Sequence, residues 1–143
     1  MVINMGKTKG IGKIVKRIIL LIIIFLMLIV VGFLMFVLMG KDKTLQLSTG
    51  NTPISVAEDG VYTGSYRGFR WSNTVEVTVK DHEIKGIRIL KAQVFAKQET
   101  IDSMTQRILS AQSTEVDVVS GATADSKAYL KAVENALNKP KAQ

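Results

Sequence analysis

An α+β fold, made of a small antiparallel sheet with two helices packed on it and preceded by one N-terminal transmembrane helix, is what this sequence predicts. Three observations lead there. Ile18 to Met39 runs for 22 residues without a charge. Between Val61 and Leu90 the chain alternates apolar and polar residues in three short runs, the period of strands with one buried face. Two later segments, 97–111 and 126–138, instead place apolar residues every three to four positions, as amphipathic helices do.

The 143 residues leave room for one modest domain and an accessory segment. Met1 to Arg17 forms a basic tail, with Lys7, Lys9, Lys13, Lys16 and Arg17 and no acidic residue. Ile18 to Met39 follows, interrupted only by Gly32. As a helix rising 1.5 Å per residue it is about 33 Å long, enough to cross a hydrocarbon core. A cleaved signal peptide would have an apolar region of roughly 7–15 residues and a small-residue cleavage site. Leu38-Met39-Gly40-Lys41-Asp42-Lys43 has no Ala-x-Ala pattern, so the segment is expected to remain as an anchor. Five cations precede the span and only Lys41 and Lys43 lie close behind it, which places the N-terminus in the cytoplasm and the remainder on the outer face of the cell membrane.

Charge and cysteine usage narrow the function. Setting the five N-terminal cations aside leaves 14 basic residues against 12 acidic ones, so most of the formal charge of +7 sits beside the membrane and not on a domain face. A nucleic-acid partner is therefore not expected. The chain has no cysteine, so neither a disulfide nor a thiol supplies redox chemistry, and any electron transfer needs a bound cofactor.

Gly40 to Glu58 is polar, with Ser48-Thr49-Gly50-Asn51-Thr52-Pro53 at its centre and no sustained period. It reads as a flexible linker with a mean reach of about 25 Å, leaving 59–143 as the folded domain. In that domain Val61 to Tyr66, Thr74 to Lys80 and Ile84 to Leu90 are the expected strands, with Val75, Val77, Val79, Ile87 and Ile89 inward. Asp81-His82-Glu83 is the expected turn, where the lone His82 is a surface residue without the partners a metal site needs. Gly86 marks a bulge or a close backbone approach. The first helix, Lys97 to Ala111, aligns Ile101, Met104, Ile108 and Ala111. The second, Ser126 to Asn138, aligns Leu130, Val133 and Leu137, with Lys127 and Lys131 on a solvated face.

The most informative stretch is Asp117 to Ser126. Val116 to Val119 looks like a short buried strand, Ser120-Gly121-Ala122 like a bend of small residues, and the helical pattern begins at Ala124, so Thr123 stands at a helix start. N–H groups there lack intrahelical acceptors and carry the positive end of the helix dipole, which suits a phosphate as well as an ordinary cap. Asp117 acting as a base on Ser120 or Thr123 would need a third orienting group, usually a histidine, which disfavours a hydrolase.

Asp117-x-x-Ser120-Gly121-Ala122-Thr123-x-x-Ser126 resembles the flavinylation motif of the FMN-binding domain family, which also occurs in flavin subunits of sodium-pumping and Rnf-type electron-transport complexes. The resemblance runs from about Asp59 to Lys139 and includes Gly60-x-Tyr62-x-Gly64, the strand Thr74 to Lys80, and Glu99-Thr100, where the family's following Pro-Gly is replaced by Ile101-Asp102. It implies FMN esterified through its phosphate to Thr123, attached by a separate flavin transferase that uses FAD and a divalent metal. It implies further that Asp117 belongs to what that transferase recognises and that Ser120, Gly121 and Ala122 shape the turn.

Other candidate contacts stay open between two readings. Glu99 and Thr100 either touch the ligand or form a helix entry, with Thr100 as cap and Asp102 complementing the dipole. Ser126 either faces the phosphate or bonds to backbone. In Tyr66-Arg67-Gly68-Phe69-Arg70-Trp71-Ser72-Asn73, Trp71 or an arginine either meets the flavin ring or belongs to a loop that packs on itself or on lipid headgroups. The chain so read is an electron carrier, not a complete enzyme, with a membrane redox partner or an external acceptor. An anchored envelope module that keeps the fold without flavin is the alternative.

Overall fold

The computed structural model of the chain describes residues 6–49 and 57–138, with side chains from residue 12 onward. It divides into two units, 1–38 and 39–143. The first is a single helix, α1 (Gly6–Leu38), long and apolar enough to cross a membrane. Its large apolar side chains, such as Ile22, Phe25, Leu28 and Phe33, are exposed along its length, an arrangement that suits lipid and not water.

The second unit contains α2 (Lys41–Leu45), β1 (Gly60–Tyr66), a 3-10 turn (Phe69–Trp71), β2 (Asn73–Lys80), β3 (Glu83–Lys91), α3 (Gln98–Ala111) and α4 (Thr123–Leu137). The strands form one antiparallel sheet in the order β1-β2-β3. Their alternation puts Val75, Val77 and Val79 in the core, fully or almost fully buried, while Thr78 and Lys80 face solvent. Ile87 and Ile89 pack against that core half-buried. Asp81 and His82 close the β2–β3 hairpin with φ of 56° and 59°. Both signs match a primed two-residue turn, whose twist agrees with that of the strands, and Asp and His tolerate the left-handed region better than bulkier residues. The exposed His82 ring is held by the Ala57 carbonyl, with Nδ1 at 3.1 Å. Val79 pairs with Ile84 while Thr78 pairs with Gly86, so Lys85 is the extra residue of a bulge beside the glycine.

α4 lies across β1 and β2, and α3 packs on β3 and α4. The approach of α4 depends on Gly64, where a methyl group would overlap the Ala132 carbonyl and the Ala136 backbone. Met104 and Ile108 of α3 are fully buried and Ile101 partly so. Ala111 is exposed, because the chain leaves the helix at Gln112 in a left-handed conformation (φ 46°, ψ 43°). The Gln112 amide then accepts from Ile84 N–H at 2.7 Å and donates to the Ile84 and Leu109 carbonyls at 3.0 and 2.8 Å, tying the helix end to β3.

Four further expectations differ from what the structure contains. Residues 116–119 form no strand. Their main-chain groups bond to side chains of Arg107 and Ser126 instead of a neighbouring strand, and Val116, Val118 and Val119 are only half-buried. Thr100 does not cap α3, which begins at Gln98 with Lys97 in the cap position; Thr100 is buried inside the first turn. Lys127 and Lys131 are not a free solvated face. Lys127 Nζ donates to the Leu45 and Leu47 carbonyls at 2.6 and 3.1 Å, and Lys131 Nζ pairs with the buried Glu134 at 3.0 Å. Finally, the start of the polar stretch 40–58 is helical and packed on α4. Thr44 is fully buried there, its hydroxyl donating to the Gly40 carbonyl at 2.8 Å and accepting from Tyr66 OH at 3.0 Å. Residues 50–56 of that stretch lie outside the described residues.

Candidate functional site

The site is built where the irregular chain 112–122 turns into α4. Ala122 N–H bonds to the Val119 carbonyl at 3.0 Å, closing the bend, and Gly121 takes the left-handed conformation the bend requires (φ 75°). Ala122 is the cap residue and provides no side-chain hydrogen bond. The first intrahelical bond is Ser126 N–H to Ala122 C=O at 2.8 Å, so the N–H groups of Thr123, Ala124 and Asp125 have no acceptor within the helix. Ser126 is fully buried, and its Oγ accepts the Val119 N–H at 3.1 Å. It therefore bonds to backbone and shapes the turn.

A cavity of about 370 Å³ opens on that helix end. Gly121, Ala122, Thr123, Ala124 and Asp125 form one wall, Arg70 and Trp71 a second, and Lys41 and Leu45 of α2 a third. Trp71 is 1% exposed, and the Arg70 guanidinium lies over its ring, 3.8 Å from the centroid. The Trp71 ring face is thus taken by Arg70, and the residue belongs to the core as much as to the cavity. A buried amide pair holds this wall: Asn73 Nδ2 donates to the Trp71 carbonyl at 3.2 Å and to Gln93 Oε1 at 2.9 Å. The Arg70 carbonyl accepts from Val94 N–H at 2.8 Å.

Trp71 Nε1 and Asp125 Oδ1 are the buried side-chain polar atoms without a hydrogen-bond partner among the described residues, and both belong to residues that line this cavity. A buried donor or acceptor without a partner costs about 1–3 kcal/mol, and both atoms belong to residues that frame this cavity, Asp125 bordering a second void as well.

The expected site residues do not all meet. Thr123, Gly121, Ala122 and Trp71 share the cavity. Ser120 is exposed on the bend. Asp117 is exposed and faces a different cleft of about 770 Å³, lined also by Arg107, Ser110 and Glu115. Its carbonyl, with that of Val118, accepts from the Arg107 guanidinium at 2.7 and 3.3 Å. Glu99 is exposed on α3 away from both. Thr100 walls a separate void of about 10 Å³, which Asp125 and Tyr129 also border. Sequence reasoning missed Lys41, Leu45 and Asp125. The first two are separated from Thr123 by about eighty residues of chain and lie in a stretch without periodicity, so no local pattern marks them.

An uncapped helix start and two cations lining one cavity are features that suit a small phosphorylated ligand. Residues 68–138 match the model of the FMN-binding domain, and the chain carries a domain of that family. The chain is also similar to an uncharacterized protein of Treponema pallidum (strain Nichols), 34% identical over 86 residues that cover 58% of this chain. It spans only 24% of that relative's length.

The residues present fit FMN. The free N–H groups of α4 and the cations Arg70 and Lys41 suit the phosphate, the Trp71 N–H and the Asp125 carboxylate suit the carbonyl and N–H or hydroxyl groups of flavin and ribityl, and the volume lies in the range of small-molecule sites.

Proposed function

We propose that this chain is a membrane-anchored electron carrier whose FMN is joined by a phosphoester to Thr123, held on the outer face of the cell membrane. The observation that carries the reading is the position of Thr123, the first residue of an uncapped helix, in the wall of a cavity that Arg70, Trp71 and Lys41 also line. Anchoring by α1 and the cytoplasmic placement of the basic tail rest on its length, its apolarity and the positive-inside rule.

Attachment by a flavin transferase balances without any redox change. The Thr123 Oγ–P bond forms, the P–O–P bond of FAD breaks, AMP leaves, and the hydroxyl proton passes to a base of the transferase. Arg107 holds the Asp117–Val118 main chain in place, leaving the Asp117 carboxylate exposed for recognition by that enzyme. Once attached, the flavin supplies the electron chemistry. The residues that would hold it line the cavity: the N–H groups at the start of α4 suit its phosphate, Arg70 and Lys41 would put positive charge beside it, and Trp71 forms part of the wall under Arg70. The electron donor is a membrane redox partner and the acceptor lies outside.

The test is co-expression with a flavin transferase, followed by intact mass and in-gel fluorescence. Wild type gains the mass of FMN less water and fluoresces, whereas Thr123→Ala does neither. An unmodified wild type in a host where a control domain is labelled overturns the covalent assignment.

A further inference from the structure

We propose that the short helix α2, outside the stretch matched by the FMN-binding domain, is a working part of the cofactor site, with Lys41 supplying positive charge to the bound flavin. The inference rests on the flavin reading above and extends it to residues that no feature of the family match covers. Lys41 and Leu45 line the same cavity as Thr123, on a helix packed directly against α4. They are consecutive turns of one helix face, so a single element contributes both an ammonium group and an apolar surface.

The docking of α2 is specific and not a loose overlay. Lys127, one helical turn beyond Thr123 on α4, donates to the terminal carbonyls of the segment, Leu45 at 2.6 Å and Leu47 at 3.1 Å. Thr44 anchors its other face at 0% exposure, hydrogen-bonded to Tyr66 at the end of β1. The helix that carries the attachment residue therefore also fixes the position of α2 beside the cavity. Gly40, in the left-handed conformation (φ 80°), turns the chain into α2, and the Phe69 ring occupies the space a side chain at Gly40 would need.

The physical consequence is electrostatic. A flavin gains negative charge on reduction, so a nearby cation favours the reduced form and raises its midpoint potential. Lys43 is on the same helix but does not line the cavity, which makes it an internal control. The effect is read at low ionic strength, where screening is weakest.

The experiment measures the midpoint potential of the flavin in the full-length chain, labelled by a transferase and held in lipid nanodiscs, for wild type, Lys41→Gln, Lys41→Glu and Lys43→Glu. Both lysines are exposed, so none of these substitutions disturbs the core. The potential falls stepwise from wild type through Lys41→Gln to Lys41→Glu, and Lys43→Glu stays near wild type, each potential being read on the flavin-labelled fraction of its sample. Equal shifts in Lys41→Glu and Lys43→Glu, or no shift in either Lys41 variant, overturn the role of Lys41 while leaving the flavin reading intact. A wild type that carries no flavin overturns the flavin reading and this inference together.

Discussion

Ser126 Oγ accepts the main-chain N–H of Val119 at 3.1 Å, so the first turn of α4 reaches back and holds the chain that leads into it. Because Ser126 is fully buried, water cannot replace that acceptor. Ser126→Ala is expected to destabilise the domain by about 1–3 kcal/mol, the cost of an unsatisfied buried donor. Ser120→Ala, on the exposed side of the same bend, is expected to change stability by less than about 0.5 kcal/mol. Urea denaturation of the two variants beside wild type checks the contrast.

Gly64 and Gly121 are required for different reasons, and substitution separates them. At Gly64 an added methyl overlaps the backbone of α4, so Gly64→Ala pushes helix and sheet apart at a cost of about 1–3 kcal/mol or more. At Gly121 a methyl meets nothing within 4 Å, but the φ of 75° is unfavourable for any residue with a Cβ. Gly121→Ala is expected to cost about 1–2 kcal/mol through the backbone alone. Gly86→Ala, in open space and without a positive φ, is the neutral comparison in the same thermal melts.

Arg107 is the clamp on the segment ahead of the bend. Its guanidinium satisfies the Asp117 and Val118 carbonyls, so Arg107→Met releases them at a stability cost of only about 0.5–1.5 kcal/mol. The larger expected effect is local. Amide exchange at 116–119 rises, and labelling of Thr123 by a flavin transferase slows in a time course of intact mass. Labelling at the wild-type rate despite faster exchange would separate the clamp from recognition.

Tyr129 sets an alkaline limit. Its hydroxyl lies 2.7 Å from Thr105 Oγ1, and burial pushes its pKa above the ordinary 10.0, against the lowering effect of the Thr105 hydrogen bond and together with the charge of Asp102. A group whose folded pKa is raised stabilises the fold fully below its unfolded pKa and loses that contribution as pH climbs through the folded one. Stability is therefore expected to decline above about pH 10, and Tyr129→Phe to flatten that decline. Denaturation midpoints at pH 8 and at about pH 11 for both proteins test the sign.

Local patterns were sufficient for the elements of the domain. Alternation located β1, β2 and β3 within a residue or two, and the helical spacing of Met104 and Ile108 and of Leu130 and Val133 marked the buried faces of α3 and α4. The small-residue bend and the helix start at Thr123 were legible for the same reason, since turn chemistry and helix periodicity are properties of neighbouring residues. Val116 to Val119 misled because an apolar run reads as a strand whether or not a partner strand exists. Here Arg107 and Ser126 supply the partners instead.

By itself, then, the sequence determined an apolar N-terminal helix, an α+β domain and the motif that contains Thr123. Only the tertiary structure decided which side chains surround that threonine. It brought in Lys41 and Leu45 from a segment that looked like a linker, seated Trp71 in the core under Arg70, and sent Asp117 and Glu99 elsewhere. The reason is physical: a five-residue polar helix has no period of its own and exists because Lys127 and Tyr66, far along the chain, satisfy its carbonyls and its one buried hydroxyl.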